Sequence, residues 1–304
     1  MQLSITHQTT YVYGVPVESS HHLAHLTPPD GPTQQVKSHA IELDPKPPQG
    51  CDTRTDVFGN RVTQWFYPQS HPALCVTARS VVQTRELAQA VSALTCADAI
   101  QATRDVGHSH FCDWALFSQP SAHVPRHPEL GHFARPDFEP ARPLTEAAVA
   151  LMHRMHTQLI YDNTSTGVDT PALQALQARR GVCQDFAHIM LGGLRQMGLS
   201  ACYVSGYLLT QPAPGQARLI GADASHAWVA LHVPDLTDHP SRGWLHLDPT
   251  NARHGWGSPG TDYVELARGR DFADVSPLRG VLRGGDASPP RVHVTVMPMD
   301  HPIP

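Results

Sequence analysis

Apolar and polar residues alternate along the first 85 positions with the period of two that marks half-buried strands. Leu3-Ser4-Ile5-Thr6-His7 alternates strictly, and Tyr11-Val12-Tyr13 continues in β-preferring residues until Gly14 and Pro16 interrupt. A second strand is predicted over 36–43, closed by Asp44-Pro45. Asp56-Val57-Phe58 and a return strand over 61–67 flank the turn residues Gly59-Asn60, which reads as a hairpin. One more strand, with Val76, Val81 and Val82, is predicted over 71–85. Strands at this spacing, separated by Pro and Gly, predict a small antiparallel β-sandwich over residues 1–85.

The pattern then changes. Residues 87–104 have helical composition, whereas prolines 120, 125, 128, 136, 140 and 143 crowd one stretch and forbid a long regular element. Residues 86–142 therefore read as a helical and proline-rich connector. From Leu144 a period near 3.6 appears, with Thr145 as the expected cap and Val149, Met152 and Met155 on the apolar side. Pro171 is placed to open a short helix, and a longer one is predicted over 183–197, ended by Gly198. Strands are predicted over 201–209, 225–233, 243–248 and, last, 292–296. Helices and strands in blocks indicate an α+β core over 143–255, with 256–304 as a tail packing on it.

Composition adds exclusions. The chain has 304 residues, 40% hydrophobic and 16% charged, which fits globular domains with real cores. The net charge of −5, without a basic block, argues against nucleic acid as a partner. No apolar run is long enough to span a bilayer, and the first residues lack a secretory layout, so the expectation is a cytoplasmic protein without a membrane partner. Six scattered cysteines without a CxxC pair are expected as free thiols.

Three short stretches carry candidate chemistry: Gly181-Val182-Cys183-Gln184-Asp185-Phe186-Ala187-His188, Ala224-Ser225-His226-Ala227-Trp228-Val229 and Leu247-Asp248-Pro249-Thr250-Asn251. A cysteine at a helix start faces unpaired N–H groups, which favour a thiolate and can hold an oxyanion. Histidine carries protons near neutral pH, and an aspartate on its far nitrogen would orient the ring. His226, Trp228 and Ala230 share one strand face; Trp244, His246 and Asp248 share a face of the next. Antiparallel pairing of those strands would bring His226 and Asp248 together.

These stretches resemble the core of the bacterial transglutaminase-like family, within the papain-like superfamily of cysteine enzymes. Phe58-Gly59-Asn60 and His71-Pro72-Ala73-Leu74 are similar to its N-terminal region, and 269–277 to its usual ending. The resemblance implies a papain-like, transglutaminase-like fold and a Cys183–His226–Asp248 triad that forms a thioester acyl-enzyme. The substrate would be a protein or peptide bearing a Gln side chain, amide or isopeptide bond. Water would make the protein a cysteine protease, isopeptidase or amidase, the favoured outcome because no amine site is visible; a primary amine would make it a transglutaminase acyltransferase. A non-catalytic binding module on the same fold is the third reading.

Other residues are weighed against plainer roles. Gln184, Trp228 and Tyr161 could line the substrate groove, although first-turn surface or aromatic packing suits each as well. Asp185 complements the helix dipole, and His188 lies on another helical face. Arg270, Asp271 and Asp274 read as a salt-bridged tail. His21-His22 with His25, and His108-Ser109-His110 with Cys112, have close spacing but no second ligand cluster, so no metal and no cofactor is expected. The calcium used by animal transglutaminases is not carried over, because no D-x-D-x-D-G loop occurs.

Overall fold

The computed structural model describes residues 1–107, 111–210, 225–286 and 289–299. Five strands come first: β1 (Gln2–Thr27), β2 (Gln34–Asp44), β3 (Asp52–Thr55), β4 (Arg61–Tyr67) and β5 (His71–Thr84). Helices α1 (Cys96–Thr103), α2 (Phe111–Ala115), α3 (Pro128–Ala134) and α4 (Leu144–Gln158) follow. Then come β6 (Ile160–Tyr161), α5 (Ala172–Ala178), β7 (Arg180–Gly181) and α6 (Cys183–Gln196). The chain continues through β8 (Ala201–Leu208), β9 (Ser225–His232), β10 (Trp244–Asp248), β11 (Arg253–Trp256) and β12 (Tyr263–Gly269). It closes with α7 (Phe272–Val275), β13 (Leu278–Gly284) and β14 (Arg291–Pro298). No helix among the described residues is long and apolar enough to cross a membrane.

β1 is the spine of the N-terminal domain. Its first half pairs with β5 and β14, and its second half with β4 and β13. The register breaks between Val12 and Val17, so Gly14 and Pro16 bend the strand where the sequence suggested that they end it. Leu3, Ile5, Val76 and Val296 from one half meet Leu26, Trp65 and Tyr67 from the other in one apolar cluster. The sandwich is thus made by folding one long-stranded sheet.

Two boundaries differ from the sequence reading. The tail does not simply pack on the core: β12 pairs with β8 there, but β13 and β14 complete the N-terminal sheet. Alternation had marked a strand without saying which edge it would find. The proline-rich segment is also more than a connector. Pro128 starts α3 at a position whose N–H needs no helical partner, and Leu130 and Ala134 then pack on Gly192 and Gly193 of α6. Only Cys96–Thr103 of the expected 87–104 helix forms, with Thr95 accepting the Asp98 N–H. Helix α4 begins at Leu144 after Pro143, so Thr145 is not its cap.

The core sheet is antiparallel in the order β11-β10-β9-β8-β12. One face, with Tyr203, Val229 and Leu247, is covered by α6 through Phe186, Met190 and Leu194. The opposite face carries Trp228, Trp244 and Tyr263 against Trp114 and Phe117. Two side-chain amides fasten the N-terminal domain to β12. Gln34 exchanges hydrogen bonds with the Glu265 backbone at 2.8 and 2.9 Å, and Asn60 does the same with Arg268 at 2.8 Å.

Candidate active site

Cys183 is the first residue of α6, preceded by Val182 in extended conformation. Its position is fixed by Asp185, whose Oδ2 accepts the Val182 N–H at 2.8 Å. A Cβ on Gly181 would fall 2.5 Å from that same oxygen, so only glycine lets the turn lie this close. The thiol is half-buried. Its partner is His226, at the start of β9 and buried, close enough that the sulfur favours the charged imidazole.

Strands β9 and β10 pair antiparallel, with Leu247 opposite Val229, as the sequence required. That register sets His226 one diagonal step from Asp248, within side-chain reach. His226 Nε2 lies 2.7 Å from Asp248 Oδ2, leaving Nδ1 for the sulfur. Asp248 is fully buried and fully engaged. Oδ2 also accepts from Asn251 Nδ2 at 2.8 Å and from the Tyr263 hydroxyl at 2.7 Å. Oδ1 accepts the Thr250 and Asn251 N–H groups at 2.9 and 3.2 Å.

The electrostatics follow from this network. Burial opposes a charged His226, but the hydrogen bond that it donates to Asp248 and the nearby Cys183 and Asp248 charges outweigh it and raise its pKa to about 10. Burial alone would raise Asp248; the bond to His226 and that imidazole's charge, with Asn251 and Tyr263, instead hold it below the usual carboxylate range. The Tyr263 phenol is pushed up by burial and by the adjacent carboxylate, so it stays a donor.

The remaining candidates divide. Tyr161 is 55% exposed and close enough to Cys183 for the sulfur to add to the rise that partial burial gives its phenol. Gln184 is buried rather than a first-turn surface residue, its amide donating to Val168 O at 2.8 Å. Trp228 does not line a groove. It is 1% exposed on the covered sheet face, donates to His246 Nδ1 at 2.8 Å and stacks behind His226 at 6.1 Å. His188 is buried and accepts the Phe272 N–H at 3.2 Å. Arg270 pairs with Asp274, whereas Asp271 caps α7 and accepts the His123 N–H.

The histidine-rich stretch of β1 does not converge: His22 bonds Ser20, while His25 faces Asp56 and Ser276 O. Residues His108, Ser109 and His110, like Ala224, lie outside the described residues. Sequence reasoning missed Tyr263 and the Asn251 side chain. Asn251 had a signal, three residues past Asp248 in a Pro-containing turn; Tyr263 had none, because only the sheet brings β12 to this end of the site.

Comparison with known proteins agrees with this architecture. Residues 3–83 match the bacterial transglutaminase-like N-terminal region, and residues 132–249 match the transglutaminase-like superfamily. An uncharacterized protein of Mycobacterium tuberculosis is 37% identical over 307 residues, covering 97% of this chain and 92% of that protein. One of Mycobacterium leprae is 33% identical over 297 residues, covering 94% and 95%. The crystal structure of a Cytophaga hutchinsonii protein, provisionally named a cysteine protease, superposes with a TM-score of 0.68 at 17% identity, covering 99% of this chain and 92% of that one. The chain belongs to the bacterial transglutaminase-like family and has the fold of its cysteine-type enzymes.

Proposed function

We propose that the protein is a cysteine-dependent amide hydrolase, acting on a protein or peptide amide through Cys183, His226 and Asp248. The observation that carries this reading is a half-buried thiol at a helix start beside His226, which is itself bonded to a buried, fully hydrogen-bonded carboxylate. In the reaction, the Cys183 sulfur, its proton held at Nδ1 of the His226 imidazolium, attacks the carbonyl carbon. The N–H groups at the start of α6 receive the oxyanion. Collapse breaks the C–N bond as His226 returns the proton to the leaving amine. Water then attacks the thioester, giving its proton to His226, and the thiolate departs. Asp248 holds the ring in the tautomer that both transfers need. Water is the favoured acceptor because it reaches any half-buried thiol, whereas an amine must be bound.

The test is mass spectrometry of glutamine-containing peptides incubated with enzyme and excess primary amine, with Cys183→Ala beside it. Conversion of Gln to Glu or backbone cleavage, absent in the variant, supports hydrolysis. An amine adduct would replace it with the transferase reading. A Cys183 that iodoacetamide labels no faster than the other cysteines would favour a binding module on this fold.

A further inference from the structure

The first turn of α6 holds more than the nucleophile. Gln184 and Asp185, the two residues after Cys183, both reach sideways to the same stretch of chain, 162–170. Gln184 Nε2 donates to Val168 O at 2.8 Å, and Asp185 Oδ2 accepts the Thr166 hydroxyl at 2.6 Å while still holding Val182 N–H. Asp185 is buried, and its other oxygen has no partner among the described residues. Leaving a buried carboxylate oxygen unsatisfied costs more than the dipole of a helix start returns. A residue needed only to complement that dipole would sit better exposed. The near edge of the stretch is fastened too: Tyr161 pairs with Gly181 in the β6–β7 bridge, and Asp162 accepts from Thr164 while facing Arg180 at 3.7 Å.

This anchoring leaves two large apolar side chains in solvent, Tyr161 close to the thiol at 55% exposure and Val168, whose carbonyl Gln184 holds, at 59%. Asp162 and Asp169 are the loop's acids, and only Asp162 has a basic partner among the described residues. We propose that residues 161–170 form the acyl-donor wall of the site, with Gln184 and Asp185 as its positioning residues and Tyr161 and Val168 selecting donors that carry an apolar rather than an acidic group next to the reacting carbonyl. The inference rests on the assignment of Cys183 as nucleophile. An apolar neighbour would cover Tyr161 and Val168 from water; an acidic one would lose hydration against them and meet Asp169.

Two chloroacetamides test it without requiring turnover, since each alkylates a thiol by forming a C–S bond and releasing chloride. One carries a leucyl substituent and the other an aspartyl; the rate at Cys183 is read by mass spectrometry, with iodoacetamide as the reference that needs no wall. The wild type is expected to react at least about tenfold faster with the leucyl reagent, the scale on which hydrophobic pockets discriminate. The combined Tyr161→Ala and Val168→Ala variant should lose most of that ratio, each rate being taken relative to the variant's own iodoacetamide rate. Thr166→Val should weaken saturation by the leucyl reagent beyond any change in its iodoacetamide rate, and Thr166→Ser should restore it. Equal leucyl and aspartyl rates at a rapidly labelled Cys183, or a ratio that survives the double variant, would overturn the wall while leaving the nucleophile intact. Slow iodoacetamide labelling, unaffected by His226→Ala, would overturn both.

Discussion

At the scale of residues, Asp248 organises the site by accepting from two backbone N–H groups, Asn251, Tyr263 and His226 at once. Two predictions belong here. His226 is raised to about 10, so its stabilising pairing is complete below its ordinary value of 6.5 and is lost as pH climbs through 10. The proposed hydrolysis needs the imidazolium as acid for the leaving amine, so kcat/KM should fall on an alkaline limb near pH 10. Asp248→Asn removes the main cause of the rise, and the limb should move to lower pH as well as lower rate; a limb that stays in place would mean that His226 is not the titrating acid. Asp248 works in the opposite sense: its carboxyl is held down, so its contribution is present above the ordinary carboxylate range and is lost as pH falls. Tyr263→Phe deletes one hydrogen bond to that charge, of about 1.5–3 kcal/mol, and should lower kcat about tenfold or more with little change in KM. An unchanged kcat would show that the other four donors hold Asp248 unaided.

At the scale of elements, the helix that begins at Cys183 and the two strands that carry His226 and Asp248 were legible because each is set by a local pattern. Cys183–Gln196 has its glycine-marked end, and β9 and β10 have alternating faces that put His226 near Asp248. What was not legible depends on neighbours distant in sequence. Trp228 looked like a groove aromatic because its strand face is known from alternation, but the cover over that face comes from Tyr263, Trp114 and Phe117. Helix α3 was hidden by the prolines around it, and the reason it packs lies in α6. A Cβ on Gly193 would fall 2.8 Å from Ala134 Cβ, which cannot move without its backbone. Gly193→Ala gains up to about 1 kcal/mol in helix propensity and loses about 1–3 to overpacking. The expected balance is a melting temperature lowered by a few degrees, measured calorimetrically; a rise would mean that α3 is free to shift.

At the scale of the whole molecule, the two ends of the chain meet in one sheet, and that sheet bears on the site. β1 has neighbours along both edges only because β13 and β14 return to it after the core sheet is complete. Val294 and Val296 of β14 are fully buried against Leu3 and Ile5. Two valines at about 1.5–3 kcal/mol each, set against a typical total of 5–15, make the last strand a large share of the fold's stability. Removing it also opens β1 to unpaired N–H and C=O groups. The N-terminal domain is in turn fastened by Gln34 and Asn60 to β12, the strand whose Tyr263 holds Asp248. A chain ending at Ser276 should therefore melt well below the full-length protein, by ten degrees or more, and its β1 amides over 3–10 should exchange rapidly. Loosening should also reach β12, so the truncated chain's kcat, measured below its melting temperature, should fall as it does in Tyr263→Phe. A truncated chain with intact kcat would show that β12 is held by β8 alone and that the N-terminal domain serves the site in some other way.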